Sequence, residues 1–288
     1  MCLGRLIIAL LALVLIVHPA GGGDVPLDYI QPFAAGEINW GTGKIAATGF
    51  SEPAQQKVAG PAVRNETLSA ARKIAVNSLA QLIGGLRLSG EETVADTMAK
   101  EPSIADKIGE MVQSAPVVQQ NFLSDGAAEI VVEMSIHGGF AQLILPEDIR
   151  HIEAIQPVNA AKEKPGTAAK AATERSPAGG LVIDARGLGL APAMMFAVFD
   201  ENGKSVYGSA YVSREYAVQW GMAAYVRRIP TVKDFARVTP DPLVIKGLRA
   251  VGVGKTDIVI SNADAIKLKG AVENLIFLRQ GRVAVVLD

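Results

Sequence analysis

Gly252-Val253-Gly254-Lys255-Thr256 ends like a loop that cradles a nucleotide phosphate. Such a loop wraps phosphate oxygens in backbone N–H groups, places a lysine on the charge and opens a helix. It needs a glycine five residues before Gly254. Position 249 is Arg249, and Asp257–Ile260 has the pattern of a strand. The run therefore reads as a tight glycine turn between two strands, with no nucleotide cofactor. Gly187-Leu188-Gly189-Leu190 lacks the third glycine of a dinucleotide fingerprint and reads as a bend after a strand at 181–184. At the end of that strand, Asp184 and Arg186 are placed either to line a cleft or to close an ion pair on the surface.

Hydrolytic and metal chemistry have little to draw on. The chain has one cysteine, Cys2, and three histidines, His18, His137 and His151. A zinc centre takes three or four regularly spaced His, Cys or carboxylate ligands, and no such spacing occurs. Cys2 and His18 fall in an apolar leader, so the remainder has no thiol nucleophile and only two isolated imidazoles for a triad. His137-Gly138-Gly139 reads as a hairpin turn. A carboxylate pair acting on a glycan has no fixed spacing in sequence, and nothing singles one out. No catalytic residue, metal or cofactor is assigned. Asn65-Glu66-Thr67 fits a glycosylation tripeptide, but Asn65 reads better as a helix N-cap. Trp40, Phe50 and Trp220 are the aromatic side chains to test as binding anchors, with core packing as the alternative for each.

The leader decides the expected compartment. Arg5 precedes an apolar run, Leu6–Val17, which Pro19 breaks before Ala20-Gly21-Gly22-Gly23. A charged start, a short apolar core and small residues make a secretory signal peptide, and the run is short for a spanning helix, which needs roughly 20 apolar residues. Cutting after Ala20 puts His18 at the −3 position, whereas cutting after Gly22 puts Ala20 there. A retained leader would instead be an inner-membrane tether. Cys2 precedes the apolar core, so it is not a lipoprotein cysteine. The expected location is the periplasm or the outer-membrane surface of a Gram-negative bacterium, where a chain without disulfides is at home.

Folding elements follow from periodicity. Lys44–Phe50 reads as a strand. Glu66–Ile83 reads as a helix with Leu68, Ala71, Ala75, Leu79 and Leu82 on one face, ended by Gly84-Gly85. Leu86–Val94 reads as a strand, and Ser103–Asp106 as a capping box opening a helix to Ser114. Val117–Leu123, the turn Ser124-Asp125-Gly126 and Glu129–Ile136 form a hairpin in which Ile130, Val132, Met134 and Ile136 share one face. In the second unit, Leu181–Asp184, Phe196–Phe199, Ser205–Tyr207, Leu243–Val251, Asp257–Ile260 and Val283–Leu287 read as strands. Arg214–Trp220 reads as a helix, and Ser261–Asp264 as a capping-box start to another reaching Leu268.

These readings predict an α+β protein of two small domains, each a mostly antiparallel sheet with helices packed on it. The expected division is a signal peptide at 1–20, an extended N-terminal segment at 21–36, a first domain at 37–150, a flexible Ala/Lys/Pro-rich linker at 151–180 and a second domain at 181–288. Hydrophobic residues make up 49% of the chain, enough to fill such cores, and the formal net charge of −1 argues against a nucleic-acid partner held by bulk charge.

Glu37-Ile38-Asn39-Trp40, Ile45–Gly49, the helix with Ala71-Arg72-Lys73-Ile74-Ala75 and the strand Glu129–Met134 occur in an order that resembles FlgP/FlgT-type flagellar envelope proteins and related small outer-membrane surface lipoproteins. The resemblance covers about residues 37–145. It implies a non-catalytic protein that assembles with itself and with envelope or flagellar proteins, as a ring or sheath component. Outer-membrane contact would be made without a lipid anchor. A periplasmic module binding a small ligand or glycan between the domains is the alternative, and an envelope hydrolase the third reading.

Overall fold

Side chains that alternate along a strand need one covered face, and the first domain provides it with a long helix. The computed structural model describes residues 26–52, 61–147, 149, 178–231 and 235–288. The elements of the first domain are β1 (Ile30–Phe33), β2 (Gly36–Asn39), β3 (Lys44–Ser51), α1 (Pro61–Gly84), α2 (Val94–Lys100), α3 (Pro102–Gln113), β4 (Val117–Phe122), β5 (Ala128–Ser135) and α4 (Gly139–Ile144). Its sheet runs β1-β2-β3-β5-β4, with every neighbouring pair antiparallel. Ile130, Val132 and Met134 of β5 point into the core, as does the following Ile136. Ala71, Ala75 and Leu79 of α1 are buried against that face, with Leu68 and Leu82 at its margin. Gly49 lets helix and strand approach closely: a Cβ there would lie 2.1 Å from the Ala71 carbonyl oxygen and 2.3 Å from the Ala75 nitrogen.

The second domain comprises β6 (Leu181–Asp184), β7 (Val198–Phe199), β8 (Ser205–Tyr207), α5 (Arg214–Trp220), β9 (Ala224–Val226), β10 (Leu243–Val251), β11 (Asp257–Ile260), α6 (Asn262–Lys269), α7 (Val272–Arg279) and β12 (Val283–Val286). Its sheet order is β8-β7-β11-β10-β6-β12-β9. The α+β two-domain class holds, but the expectation of a mostly antiparallel second sheet does not. β10–β6, β6–β12, β12–β9 and β11–β7 are parallel, and only the β7–β8 and β10–β11 pairs are antiparallel. Turn residues announce the two hairpins, whereas parallel partners are joined by long crossovers with no local signature. β12, buried throughout, has the continuous apolar run of a strand covered on both faces.

Local corrections have local causes. Leu86–Val94 is a reversal held by a single bridge between Arg87 and Thr93, and Leu88 and Ser89 both donate to the Glu92 carbonyl. The capping box belongs to Thr93 and Asp96 at the start of α2, not to Ser103, because Pro102 already opens α3. Asn65 lies inside α1 rather than capping it. His137-Gly138-Gly139 leads into α4 and makes no hairpin. The expected leader and most of the expected linker lie outside the described residues. Among the described residues, no helix is long and apolar enough to cross a membrane.

The two sheets meet along a hydrogen-bonded seam. The Tyr29 N–H donates to the Tyr225 carbonyl at 3.1 Å, the Tyr225 N–H to Trp40 at 3.2 Å and the Trp40 N–H back to Tyr29 at 2.9 Å. The Arg227 N–H reaches the Leu27 carbonyl at 2.8 Å, so the segment before β1 covers the free edge of β9. Met194 and Met195 donate to Arg87 and Leu88, and one buried apolar cluster runs through both domains.

Candidate functional site

Where the seam opens to solvent it leaves a cavity of about 540 Å³. The first domain contributes Gly41 and Thr42 from the β2–β3 turn, and His137 just after β5. The second contributes Tyr216, Gln219 and Trp220 of α5, residues 235–237, and Gln280 and Arg282 around the end of α7. This volume lies in the range of small-molecule sites.

One turn of helix places Tyr216 and Trp220 on the same face, where their rings stack 6.4 Å apart at 14°. Trp220 remains 49% exposed. Gly221 then ends the helix at φ 78°, a conformation that favours glycine.

Arg237 donates from Nε to the Gly281 carbonyl at 2.8 Å, from Nη1 to Trp220 at 2.6 Å and from Nη2 to Gly221 at 2.7 Å. Arg282 donates from Nε to the Arg237 carbonyl at 2.9 Å and from Nη2 to Thr239 at 2.8 Å. Main-chain carbonyls thus orient both guanidinium groups without cancelling their charge, and the cavity lining contains no carboxylate among the described residues. Burial draws the Arg237 pKa down to about 10. His137 packs against Gly43 and Gly221, where added Cβ atoms would approach its ring to 2.2 Å and 3.1 Å. Burial, and then the nearby Arg237 charge, lower its pKa to about 4, so the imidazole is neutral at pH 7.

The sequence-derived candidates separate. Trp220 lines the cavity. Trp40 is buried in the seam, its Nε1 donating to Gln31 Oε1 at 2.9 Å. Phe50 is 50% exposed near the end of β3 and does not line the cavity. Asp184 and Arg186 form a two-pronged ion pair at 2.8 Å and 2.6 Å, which holds the carboxyl below its ordinary pKa. The neighbouring Gly187 N–H donates to the Asp288 carboxylate at 2.9 Å, and neither Asp184 nor Arg186 lines the cavity. The Gly252–Thr256 run is the expected turn between β10 and β11. Its Gly254 lies against Gly90 of the first domain, whose oxygen would be 2.4 Å from an added Cβ.

Arg237 and Arg282 were not legible as site residues, since cations in connecting segments have no spacing signature. The four-residue spacing of Tyr216 and Trp220 was the available signal. Among the described residues, no group of His, Cys, Asp and Glu is arranged to hold a metal ion.

The fold is that of a two-domain α+β protein with a cavity at the domain junction. Compared with known families, residues 180–288 match the model described as Treponema pallidum Tp0624, second domain. That match begins immediately before β6 and spans the second domain, not the stretch that carries the flagellar-envelope resemblance. No curated protein matches the chain.

Proposed function

We propose that the chain is a non-catalytic, secreted binding module that receives a small ligand in the cavity between its domains. The carrying observation is a junction cavity supplied by both domains and lined by preoriented cations and a stacked aromatic pair. Among the described residues its lining holds no carboxylate, cysteine or serine, and its polar side chains are those of Thr42, Tyr216, Gln219 and Gln280 beside His137 and the two arginines. A thermal-shift screen of the full chain against a small-molecule library tests the reading. A ligand at a hundred times its Kd stabilises by about 2.7 kcal/mol. Thr42→Trp, which adds bulk at the exposed rim, is expected to abolish the shift. No stabilising compound, or equal shifts in wild type and T42W, would overturn the proposal.

The second reading is assembly in the cell envelope, with flagellar ring proteins or further copies of the chain as partners, in the periplasm or at the outer membrane. Strand β4 supports it: it is an edge strand that exposes Val118 and Phe122. Cross-linking in intact cells followed by mass spectrometry tests it, and recovery of the protein as a free monomer would count against it.

A further inference from the structure

Two arginines line one cavity, and among the described residues each donates to backbone oxygens. A guanidinium has five N–H donors. The bonds to Gly281, Trp220 and Gly221 use three on Arg237, and those to Arg237 and Thr239 use two on Arg282. That leaves each guanidinium with unused donors, and both arginines line a cavity that includes no Asp or Glu among the described residues. A cation withdrawn from water without an anionic partner is costly, and an anion entering the cavity offsets that cost. Beside polar Thr42, Gln219 and Gln280, the lining offers three flat rings, those of Trp220, Tyr216 and Phe235.

We propose that the junction cavity binds a small organic anion, with a carboxylate or phosphate group on the Arg237–Arg282 pair and a flat apolar body against Trp220 and Phe235. The inference rests on the binding-module reading and adds the ligand class to it. Guanidinium forks suit these oxyanions because two parallel N–H donors match two oxygens. Neutral His137 supplies one further polar contact without competing for the anion. A neutral sugar would use the aromatic face but gain little from two guanidinium groups.

The test is calorimetric titration of the full chain with benzoate, phenyl phosphate, benzamide and inorganic phosphate. Benzoate and phenyl phosphate are expected to bind at least about tenfold tighter than benzamide, which has the ring but no charge. Inorganic phosphate, with charge but no ring, is expected to bind more weakly than phenyl phosphate. Arg282→Gln should remove the preference for benzoate over benzamide, whereas Trp220→Ala should weaken both ring compounds. The wild-type ratio of benzoate to benzamide does not depend on either variant folding. Equal affinity for the two would overturn the anion inference and leave the binding module standing. Absence of saturable binding by all four compounds would overturn the anion inference, and the thermal-shift screen then decides the module separately.

Discussion

Trp40 and Tyr225 meet edge to face across the domain seam, with ring centroids 5.7 Å apart and planes at 77°. Trp40 belongs to the β2–β3 turn and Tyr225 to β9, so each domain supplies half of the contact. The Tyr225 hydroxyl is also buried and donates to the Ala193 carbonyl at 2.9 Å, and burial pushes its pKa upward. The pair anchors a seam that backbone hydrogen bonds run alongside.

Replacing Trp40 with alanine should therefore lower the stability of both domains together. Removing a buried aromatic side chain costs about 3–5 kcal/mol. Chemical denaturation followed by circular dichroism should give one transition at lower denaturant. Loss of a first-domain signal alone would show that the seam does not couple the domains.

Arg214 makes a polar clasp on another side of the junction. It is 7% exposed, and its guanidinium donates to the carbonyls of Gln142 at 3.1 Å and Leu145 at 3.0 Å, and to Pro146. These oxygens lie in and just beyond the last turn of α4, where carbonyls lack helical partners and favour a cation. Arg214→Ala should cost about 2–4 kcal/mol, since it strands several buried acceptors. Limited proteolysis should then cut near residue 145 faster than in wild type.

His137 predicts a pH dependence. Its ordinary pKa is 6.5, and burial followed by the Arg237 charge lowers it to about 4 in the folded chain. Above pH 6.5 both folded and unfolded forms are neutral, so this group adds no slope. As pH drops from about 6.5 to 4 the unfolded chain binds the proton preferentially, and stability falls by on the order of 3 kcal/mol. His137→Gln should remove this component from the curve of Tm against pH. An unchanged slope would mean that the imidazole is solvated.

Gly49 should tolerate no side chain. An added methyl meets backbone atoms of α1, which cannot swing aside as a flexible side chain would. Gly49→Ala should destabilise by about 1–3 kcal/mol through overpacking. Thr48→Ala, one residue away and not fully buried, should shift Tm much less.

Local periodicity carried much of the fold by itself. The alternation through 129–136 and the apolar spacing of α1 each need one covered face. The bounds of α5, β10 and β11 follow from the chain's own pattern and turn residues. The Asp184–Arg186 ion pair was legible because its partners lie two residues apart. Tertiary structure alone decided the parallel pairing of β6 with β10 and β12, since the partners lie far apart along the chain. It also turned Trp40 into a seam residue and brought His137 beside Arg237. The reason is physical: a residue's type and near neighbours set its local geometry, but a cavity exists only where distant surfaces fail to close. Backbone carbonyls at 220, 221 and 281 orient Arg237 there, and no residue type in the sequence records that arrangement.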